Sequence, residues 1–187
     1  MSDKAELVTP NAVQSITLLG DKVILRPFID TDIGDVYINW LNDPDVVRYS
    51  NQRFRSHDKD SCLDYLASFI NSTNFFMSVR SLSNERLLGT LTAYVSNHHS
   101  TVDVGIMMGD KSVWGQGYGQ DAWNTISQWL LQEQSIRKLT AGTLKCNYGM
   151  VKIMERSGMK LEAVRKEQEI VNNQFVDVLY YSKFNDS

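Results

Sequence analysis

The apolar positions of the chain recur with a helical period in three segments. The first spans residues 33–41, with Asp30 or Thr31 as its N-cap, and the second begins near residues 56–58. In the third, the apolar positions are spaced i, i+1, i+4, i+7 and i+8, which places them on one buried face of a helix. These positions are Ala122, Trp123, Ile126, Trp129 and Leu130. The pattern therefore predicts two helices ahead of a block of strands and one helix behind it.

Alternating or continuous apolar runs predict β-strands around these helices, with polar turns between them. The expected strands are 22–26, 75–82, 87–95, 101–108, 138–144, 161–171 and 175–184, the last two forming a hairpin with Asn172-Asn173-Gln174 at its tip. Residues 1–15 show little periodicity and are expected to form a loose leader. A single domain is expected over residues 16–187, because no repeat or linker divides it.

Three glycines at alternating positions, Gly115, Gly117 and Gly119, run directly into the third helix. Glycine can adopt positive φ, and the first-turn N–H groups of a helix attract anions, so the stretch is typical of a phosphate cradle. A tight turn that binds nothing is the alternative. The mononucleotide loop needs a Lys-Ser or Lys-Thr pair after its last glycine, where this chain has Gln120 and Asp121. The Gly-x-Gly-x-x-Gly order of dinucleotide-binding loops is also absent.

The same stretch resembles the acyl-CoA loop of the GNAT acyltransferase superfamily, whose two small residues match Gly117 and Gly119. The Gln or Arg of the family pattern is replaced by Trp114, which is similar to the branch that acetylates ribosomal-protein N-termini. Residues 147–159 resemble the family's Asn-led helix. Two N-terminal segments resemble the same branch, namely Leu25-Arg26-Pro27 and residues 40–49.

This resemblance implies an α/β fold of the α+β kind. One GNAT-like domain would contain a mixed, mostly antiparallel central sheet flanked by helices, with splayed strands that hold acyl-CoA. The co-substrate would be acetyl-CoA or another short acyl-CoA, and no metal is expected. In the family, a main-chain N–H on the strand before the glycine turn meets the thioester carbonyl, and the Asn contacts the CoA arm. The matching residues are Ile106, Met107, Met108, Trp114, Gly115, Gln116, Gly117, Tyr118, Gly119, Gln120 and Asn147.

Direct acyl transfer to an amine, which the resemblance implies, requires a base near the acceptor and an acid for the departing thiolate. Asp103 is the candidate base, because many relatives carry an acidic residue in this strand; a solvated strand carboxylate is the alternative. The Tyr that many relatives use as the acid falls on Met154, which cannot donate a proton. Tyr148, Tyr94, a water molecule or unaided departure of the thiolate remain for this role.

Cations and aromatic rings are interleaved in the segment expected to lie over the sheet. The candidate acceptor-binding residues are Trp40, Arg48, Tyr49, Arg53 and Phe54. Arg pairs with phosphate and aromatic rings stack on a base or sugar, so this mixture suits a sugar nucleotide. The run Trp40-Leu41-Asn42-Asp43-Pro44, followed by Arg48-Tyr49 and Gln52-Arg53-Phe54, resembles family members that acylate amino sugars in surface-polysaccharide pathways, which implies a nucleotide-linked amino sugar as the acceptor. The plainer alternatives are a core position for Trp40 and ion pairs of the arginines with Asp43 or Asp45.

Two other functions compete with this first hypothesis. A protein N-terminal acetyltransferase would need an open groove for an extended peptide, acidic if the substrates are basic ribosomal proteins. A non-catalytic CoA-binding regulatory module is the third hypothesis, which the missing Tyr at Met154 keeps open.

Composition narrows the class of partner. The 187 residues carry a net charge of −3, which argues against general nucleic-acid binding, and no apolar run is long enough for a signal peptide or a membrane span. A cytoplasmic protein is therefore expected, with Cys62 and Cys146 as reduced thiols rather than a disulfide or metal site. A terminal hairpin commonly supports homodimers in the resembled superfamily, so a monomer and a homodimer are both open.

Overall fold

One mixed sheet connects the two described parts of the chain, residues 16–134 and 136–185 of the computed structural model. The strands are β1 (Leu18–Leu19), β2 (Val23–Pro27), β3 (Phe75–Ser81), β4 (Leu87–Ser96), β5 (Thr101–Met108), β6 (Lys138–Leu144), β7 (Lys160–Val171) and β8 (Gln174–Phe184). Their order across the sheet is β1-β2-β3-β4-β5-β6-β8-β7. All neighbours run antiparallel except β5 and β6, which are parallel. The predicted mixed, mostly antiparallel sheet is therefore confirmed.

Four α-helices flank the sheet within the described residues. They are α1 (Asp35–Asn42), α2 (Lys59–Ala67), α3 (Tyr118–Gln128) and α4 (Tyr148–Arg156). The start of α2 is as predicted, because Asp58 is its N-cap and accepts a hydrogen bond from Ser61 N–H at 2.8 Å. α3 continues into a π-helical turn at Trp129–Glu133. No helix in the described ranges is long and apolar enough to cross a membrane.

The two faces of the sheet carry separate hydrophobic cores. On one face, α3 and α4 cover a large cluster that includes the fully buried Trp123 and Met154. On the other face, α1 and α2 cover a smaller cluster that includes Tyr37. The neighbours Phe75 and Phe76 belong to opposite cores, as the period of two along a strand requires. Trp40, the first of the predicted acceptor-binding residues, packs against this second core.

The parallel strands β5 and β6 separate along their length. Residues 101–103 pair with residues 138–140, and the pairing ends there. β5 stays paired with β4, and β6 with β8, over the rest of their lengths. The sheet consequently opens between residues 104–108 and 141–144, which is the splayed pair that the resemblance implies.

The predicted start of α1 is wrong. The helix begins after Gly34 rather than after Asp30 or Thr31. The physical reason lies in Asp32, which forms a buried ion pair with Arg80 and holds the preceding residues in a separate 3₁₀ turn. Gly34 follows this turn in an extended conformation and is the N-cap of α1.

The other predicted boundaries lie close to the observed ones. α3 begins at Tyr118, so Gly119 lies inside the first helical turn and not in the turn before it. The seven predicted strands agree within one residue at each end, and the short β1 is an addition. The hairpin tip is a two-residue turn of Asn172 and Asn173, with φ of 49° and 60°, and Gln174 already belongs to β8. The predicted leader, residues 1–15, lies outside the described residues.

Candidate active site

The predicted phosphate cradle is a left-handed turn that opens α3. Gly115 and Gly117 have φ of 74° and 87°, a region that L side chains rarely adopt. Gly117 is the N-cap, and the first intrahelical bond is donated by Asp121 N–H to Gly117 O at 2.9 Å. The N–H groups of residues 118–120 precede that bond and have no partner within the helix. They can therefore receive an anion at the positive end of the helix dipole.

Two side chains hold this glycine turn in place. The Trp114 indole Nε1 donates to Met108 O at 2.8 Å, which ties the turn to the end of β5. Lys22 Nζ donates to Gln116 O at 2.9 Å and lies 5.5 Å from the centre of the Tyr118 ring. The side chains of Gln116 and Tyr118 do not line the cleft described below. Trp114, which is predicted as a cofactor-binding residue, thus also has a structural contact that holds the turn.

Asp121 anchors the first turn of α3 to the start of β2. Its carboxylate accepts the N–H groups of Asp21, Lys22 and Val23 at 3.1, 2.8 and 3.1 Å. Hydrogen bonds to an ionised acceptor are stronger than neutral ones. Any side chain at Gly20 would overlap this carboxylate, so glycine is required there. The helix start is therefore fixed before a ligand binds.

The start of α4 carries the predicted Asn147. Asn147 is its N-cap, and Oδ1 accepts the Met150 N–H at 3.3 Å, which leaves the Nδ2 group available to a ligand. Gln120 connects the two helices, because its Nε2 donates to Ile153 O at 3.3 Å and to Ser157 Oγ at 2.8 Å. The first turn of α3 is thereby joined to the C-terminal part of α4.

A cleft of about 690 Å³ joins these helix starts to the sheet face beneath α1 and α2. We call its two parts the CoA end and the acceptor end. The predicted residues that line the CoA end are Ile106, Met107, Met108, Trp114, Gly115, Gly117, Gly119, Gln120 and Asn147. The acceptor end is lined by, among others, Tyr37, Arg48, Tyr49, Gln52, Tyr65 and Phe76. Members of both predicted sets therefore meet in a single cleft.

Tyrosines form the inner wall of the acceptor end. Tyr37 is 3% exposed, and burial raises its pKa. Burial also raises the pKa of Tyr65, and the hydrogen bond between its Oη and Tyr94 Oη, 2.7 Å apart, adds to the increase. Both phenols therefore stay neutral at physiological pH and serve as hydrogen-bonding groups rather than as bases.

The charges along the cleft are arranged unevenly. Among the described residues that line the acceptor end, Asp45 supplies the single carboxylate. It is shared between Arg48 Nη2 at 3.2 Å and Lys111 Nζ at 3.4 Å. At the CoA end, Lys152 and Arg156 contribute two positive charges. The cleft thus favours phosphates at one end and offers no free carboxylate to a polycation at the other.

The three predicted catalytic residues lie near the cleft but are not among its lining residues. Asp103 lies on β5, two residues before Gly105, which does line the acceptor end. Desolvation raises the pKa of Asp103, and the hydrogen bond that Thr140 Oγ1 donates to Oδ2 at 2.8 Å opposes that increase. Tyr94 reaches the cleft through Tyr65, whereas Tyr148 is 72% exposed on the first turn of α4.

Three of the predicted acceptor-binding residues do not line the cleft. The Trp40 ring occupies the space that a side chain at Gly109 would need, and it packs against the second core. Arg53 forms an ion pair with Glu169 at 3.2 Å rather than with Asp43 or Asp45. Phe54 is 72% exposed, with the Arg53 guanidinium 4.3 Å from its ring centre. Arg48 and Tyr49 are the members of this set that line the cleft.

Several residues that line the cleft were not predicted as site residues from the sequence. Tyr37 and Tyr65 fall at helical core spacing, so their pattern is that of ordinary buried residues. Gln52, whose buried Oε1 has no hydrogen-bond partner, lies in an irregular segment without a pattern. Thr90 and Thr92 could have been predicted, because the alternation along β4 places both polar side chains on the face opposite Leu91.

A model of the acetyltransferase (GNAT) domain family matches residues 22–160. The match covers β2 through the start of β7 and includes both helix starts and the splayed strands. No curated protein matches the chain in a sequence search. The described residues contain no group of three or more His, Cys, Asp or Glu side chains that could hold a metal ion.

Solved structures with the same fold cover almost the whole chain. A ribosomal-protein-S5-alanine acetyltransferase from Vibrio fischeri is 18% identical, with a TM-score of 0.77 over 92% of this chain and 98% of its own. A ribosomal L7/L12 alpha-N-protein acetyltransferase in complex with coenzyme A is 13% identical, with a TM-score of 0.80 over 91% and 99%. A spermidine N-acetyltransferase from Vibrio cholerae, in complex with CoA and spermine, is 16% identical, with a TM-score of 0.76 over 87% and 95%. At these identities the likeness establishes the fold.

Proposed function

The chain belongs to the GNAT acetyltransferase family, and from this premise we propose that it transfers the acetyl group of acetyl-CoA directly to the primary amine of a nucleotide-linked amino sugar. The observation that supports the proposal most is that one cleft contains both the glycine turn and the acceptor-end aromatic residues. We further propose that residues 16–187 act as one domain, since a single sheet extends from β1 to β8.

The CoA end fits the chemistry of a CoA ligand. The partnerless N–H groups of residues 118–120 suit its pyrophosphate, and Lys152 and Arg156 supply charge for its phosphates. The gap between β5 and β6 suits an extended arm, because main-chain groups of β5 that face β6 beyond Asp103 have no strand partner. The Nδ2 group of Asn147 is available to the same arm.

The chemistry needs a donor at the thioester carbonyl and a base for the amine. In this proposal, a main-chain N–H within residues 106–108 stabilises the oxyanion, because this part of β5 lines the cleft and lacks its neighbour on the β6 side. Asp103 removes the proton of the acceptor ammonium, directly or through water. A raised pKa suits that role, since it brings the carboxylate closer to the pKa of the group that it deprotonates.

The acceptor end supports a small acceptor that carries a ring. The half-buried rings of Tyr49 and Tyr65 line this end and offer apolar surface for a sugar or a base. Arg48 offers a cation for a phosphate, and its exposed ion pair with Asp45 costs little to exchange for another partner. The unpartnered Gln52 Oε1 can accept a hydrogen bond from a hydroxyl or amine. A polyamine fits less well, because Asp45, the single carboxylate among the described lining residues, is already paired with two cations.

A protein N-terminal amine is the second candidate acceptor. It is favoured by the two ribosomal-protein acetyltransferases among the structural relatives, which share the fold over more than nine-tenths of this chain. A basic N-terminus, however, would meet Arg48 at the acceptor end, and the carboxylate of Asp45 is already shared by two cations.

The decisive experiment is free-thiol release from acetyl-CoA across a panel of amino-sugar nucleotides, N-terminal peptides and polyamines, with calorimetric CoA binding alongside. Turnover with a sugar nucleotide alone supports the first proposal. Turnover with peptides alone replaces it with the second. Tight CoA binding with no release for any amine and several short acyl-CoA donors would favour a non-catalytic CoA-binding module.

A further inference from the structure

Residues 48–55, which contribute part of the wall of the acceptor end, have an unusual pattern of hydrogen bonds. This segment contains a 3₁₀ turn at Asn51–Phe54, and Tyr49, Ser50 and Gln52 line the cleft. Within the described residues, its hydrogen bonds reach no further than three positions along the chain, with the exception of those from Arg53. The segment therefore depends on one side chain for its hydrogen-bonded connection to the rest of the molecule.

Arg53 connects this segment to the end of β7. Its Nη2 donates to Glu169 Oε2 at 3.2 Å and to Ile170 O at 3.4 Å, while Nη1 donates to Ser50 O at 2.8 Å. The Arg53 side chain is 15% exposed and that of Glu169 is 30% exposed. A planar guanidinium that bonds both sides at once fixes their separation as well as their contact.

We propose that Arg53 and Glu169 form a latch that positions the acceptor wall, so that Arg53 determines acceptor binding without contacting the acceptor. This inference rests on the proposed acetyl transfer, and it gives Arg53 a positioning role in place of the phosphate-binding role predicted from the sequence. The latch thereby fixes the position of Tyr49 and Gln52, which line the acceptor end. The hairpin of β7 and β8 thereby becomes part of the acceptor site, although Glu169 does not line the cleft.

The latch acts on one end of the cleft. The glycine turn is held by Trp114, Lys22 and Asp121, and none of these residues bonds to residues 48–55 or to Glu169. Loss of the latch should therefore weaken acceptor binding while acetyl-CoA binding stays unchanged. This separation distinguishes a positioning role from a general loss of stability.

The test uses steady-state kinetics of Arg53→Ala, Glu169→Ala and the double variant. We expect each single variant to raise the acceptor KM roughly tenfold, since charge-assisted hydrogen bonds of a partly buried group are lost. The KM for acetyl-CoA should not change, and the double variant should be no worse than either single one, because both break the same latch. The charge swap Arg53→Glu with Glu169→Arg should recover part of the acceptor affinity.

Arg55→Ala is the matched control. Arg55 lies two residues away on the same segment, and its side chain forms no hydrogen bond or ion pair among the described residues. Its acceptor KM should equal that of the wild type. An unchanged KM in Arg53→Ala would overturn the latch, and so would a large defect in Arg53→Ala with none in Glu169→Ala, which would indicate direct contact with the acceptor.

Hydrogen exchange separates failure of the latch from failure of the proposed function. Amide exchange of residues 48–55 should be faster in Arg53→Ala and Glu169→Ala than in the wild type and Arg55→Ala. If the wild-type protein acetylates no amine, the proposed function fails, and this measurement still decides the latch. Equal exchange in all four proteins would overturn it.

Discussion

At the scale of single residues, Asp103 is held between two opposing effects. Desolvation disfavours its ionised form and raises its pKa, whereas the hydrogen bond from Thr140 favours the ionised form and lowers it. A base acts in its ionised form, so the rate should rise with pH as Asp103 loses its proton. In the proposed mechanism, with Asp103 as the base, the balance between the two effects sets the acidic limb of the pH–rate profile.

The first prediction concerns this limb in Thr140→Val. The substitution removes the hydrogen bond that lowers the Asp103 pKa, so desolvation acts alone and the pKa rises further. We expect the acidic limb of kcat/KM to move to higher pH while the plateau changes little. Asp103→Asn should reduce the plateau by roughly 10²–10⁴-fold, the usual contribution of a general base. A limb at the wild-type position in both variants would exclude Asp103 from the mechanism.

The ionisation of Asp103 also predicts a pH dependence of stability that needs no substrate. Because its folded-state pKa lies above that of the unfolded chain, the folded protein binds the extra proton, and the contribution to stability is lost as pH rises through the raised pKa. Asp103 is exposed to solvent on one side, which limits the effect, so Asp103→Asn should unfold at a slightly higher temperature than wild type at neutral pH. Thermal melts should show this gain vanish below the ordinary carboxyl pKa, about 4. A gain that persists in acid would require another cause.

Single residues of the acceptor end show why the sequence predicted the site only in part. Tyr37 falls within the helical period of residues 33–41, a pattern typical of core residues, and it is buried, yet its ring also lines the cleft. The helical period of apolar residues indicates which face of a helix is covered by protein. It cannot distinguish a residue of the core from a residue in the wall of a cleft. The partner of Arg53 is Glu169, 116 positions away, and no local pattern connects two such residues.

At the scale of elements, the glycine turn and α3 act as one preorganised anion site. Positive φ at Gly117 ends the turn and starts the helix, and Asp121 fixes the first helical turn to β2. Gly119 has a different task, because it lies in the helix where the chain passes closest to Met108 and Ile153. Gly115 and Gly117 are therefore needed for their positive φ, and Gly119 is needed because a side chain there would be crowded by its neighbours.

The second prediction follows from this division of tasks. A Cβ at Gly119 would lie 3.3 Å from Met108 Cγ and 3.5 Å from Ile153 Cδ1, so a longer side chain must extend into the CoA end. Gly119→Leu should weaken CoA binding by more than about 1.4 kcal/mol, a factor of ten, while circular dichroism stays unchanged. Gly34→Ala is the control, because a Cβ there meets nothing within 4 Å and its φ is negative. Normal CoA affinity in Gly119→Leu would exclude the turn as the CoA site.

The strands were predicted from the sequence more accurately than the start of the first helix. Strand ends agreed within one residue because the apolar alternation stops at polar turns such as Asn172-Asn173. The start of α1 was wrong because a buried ion pair, Asp32 with Arg80, overrides the local N-cap preference. A tertiary ion pair between residues 48 positions apart leaves no mark on a local pattern.

At the scale of the whole molecule, the fold leaves its sheet incomplete where the cleft lies. β5 and β6 share three residue pairs and then part, although both stay paired on their outer sides. The two halves of the sheet are thus connected across the gap by a short parallel ladder and by the bridge of Gln120 between α3 and α4. A ligand that occupies the gap touches both halves and should stabilise them together.

The third prediction is a CoA-dependent gain in global stability. A ligand that binds only the folded state, at one hundred times its Kd, adds about 2.7 kcal/mol, which for a chain of this length raises Tm by roughly 5–10 °C. Differential scanning fluorimetry with CoA should show this increase in the wild type and in Arg53→Ala, whose latch lies at the other end of the cleft, and not in Gly119→Leu. Hydrogen exchange should slow at residues 104–108 and 141–144 together. Slowing confined to one of these strands would mean that the ligand binds beside the gap rather than across it. The two halves of the sheet would then have to be coupled by α3 and α4 alone.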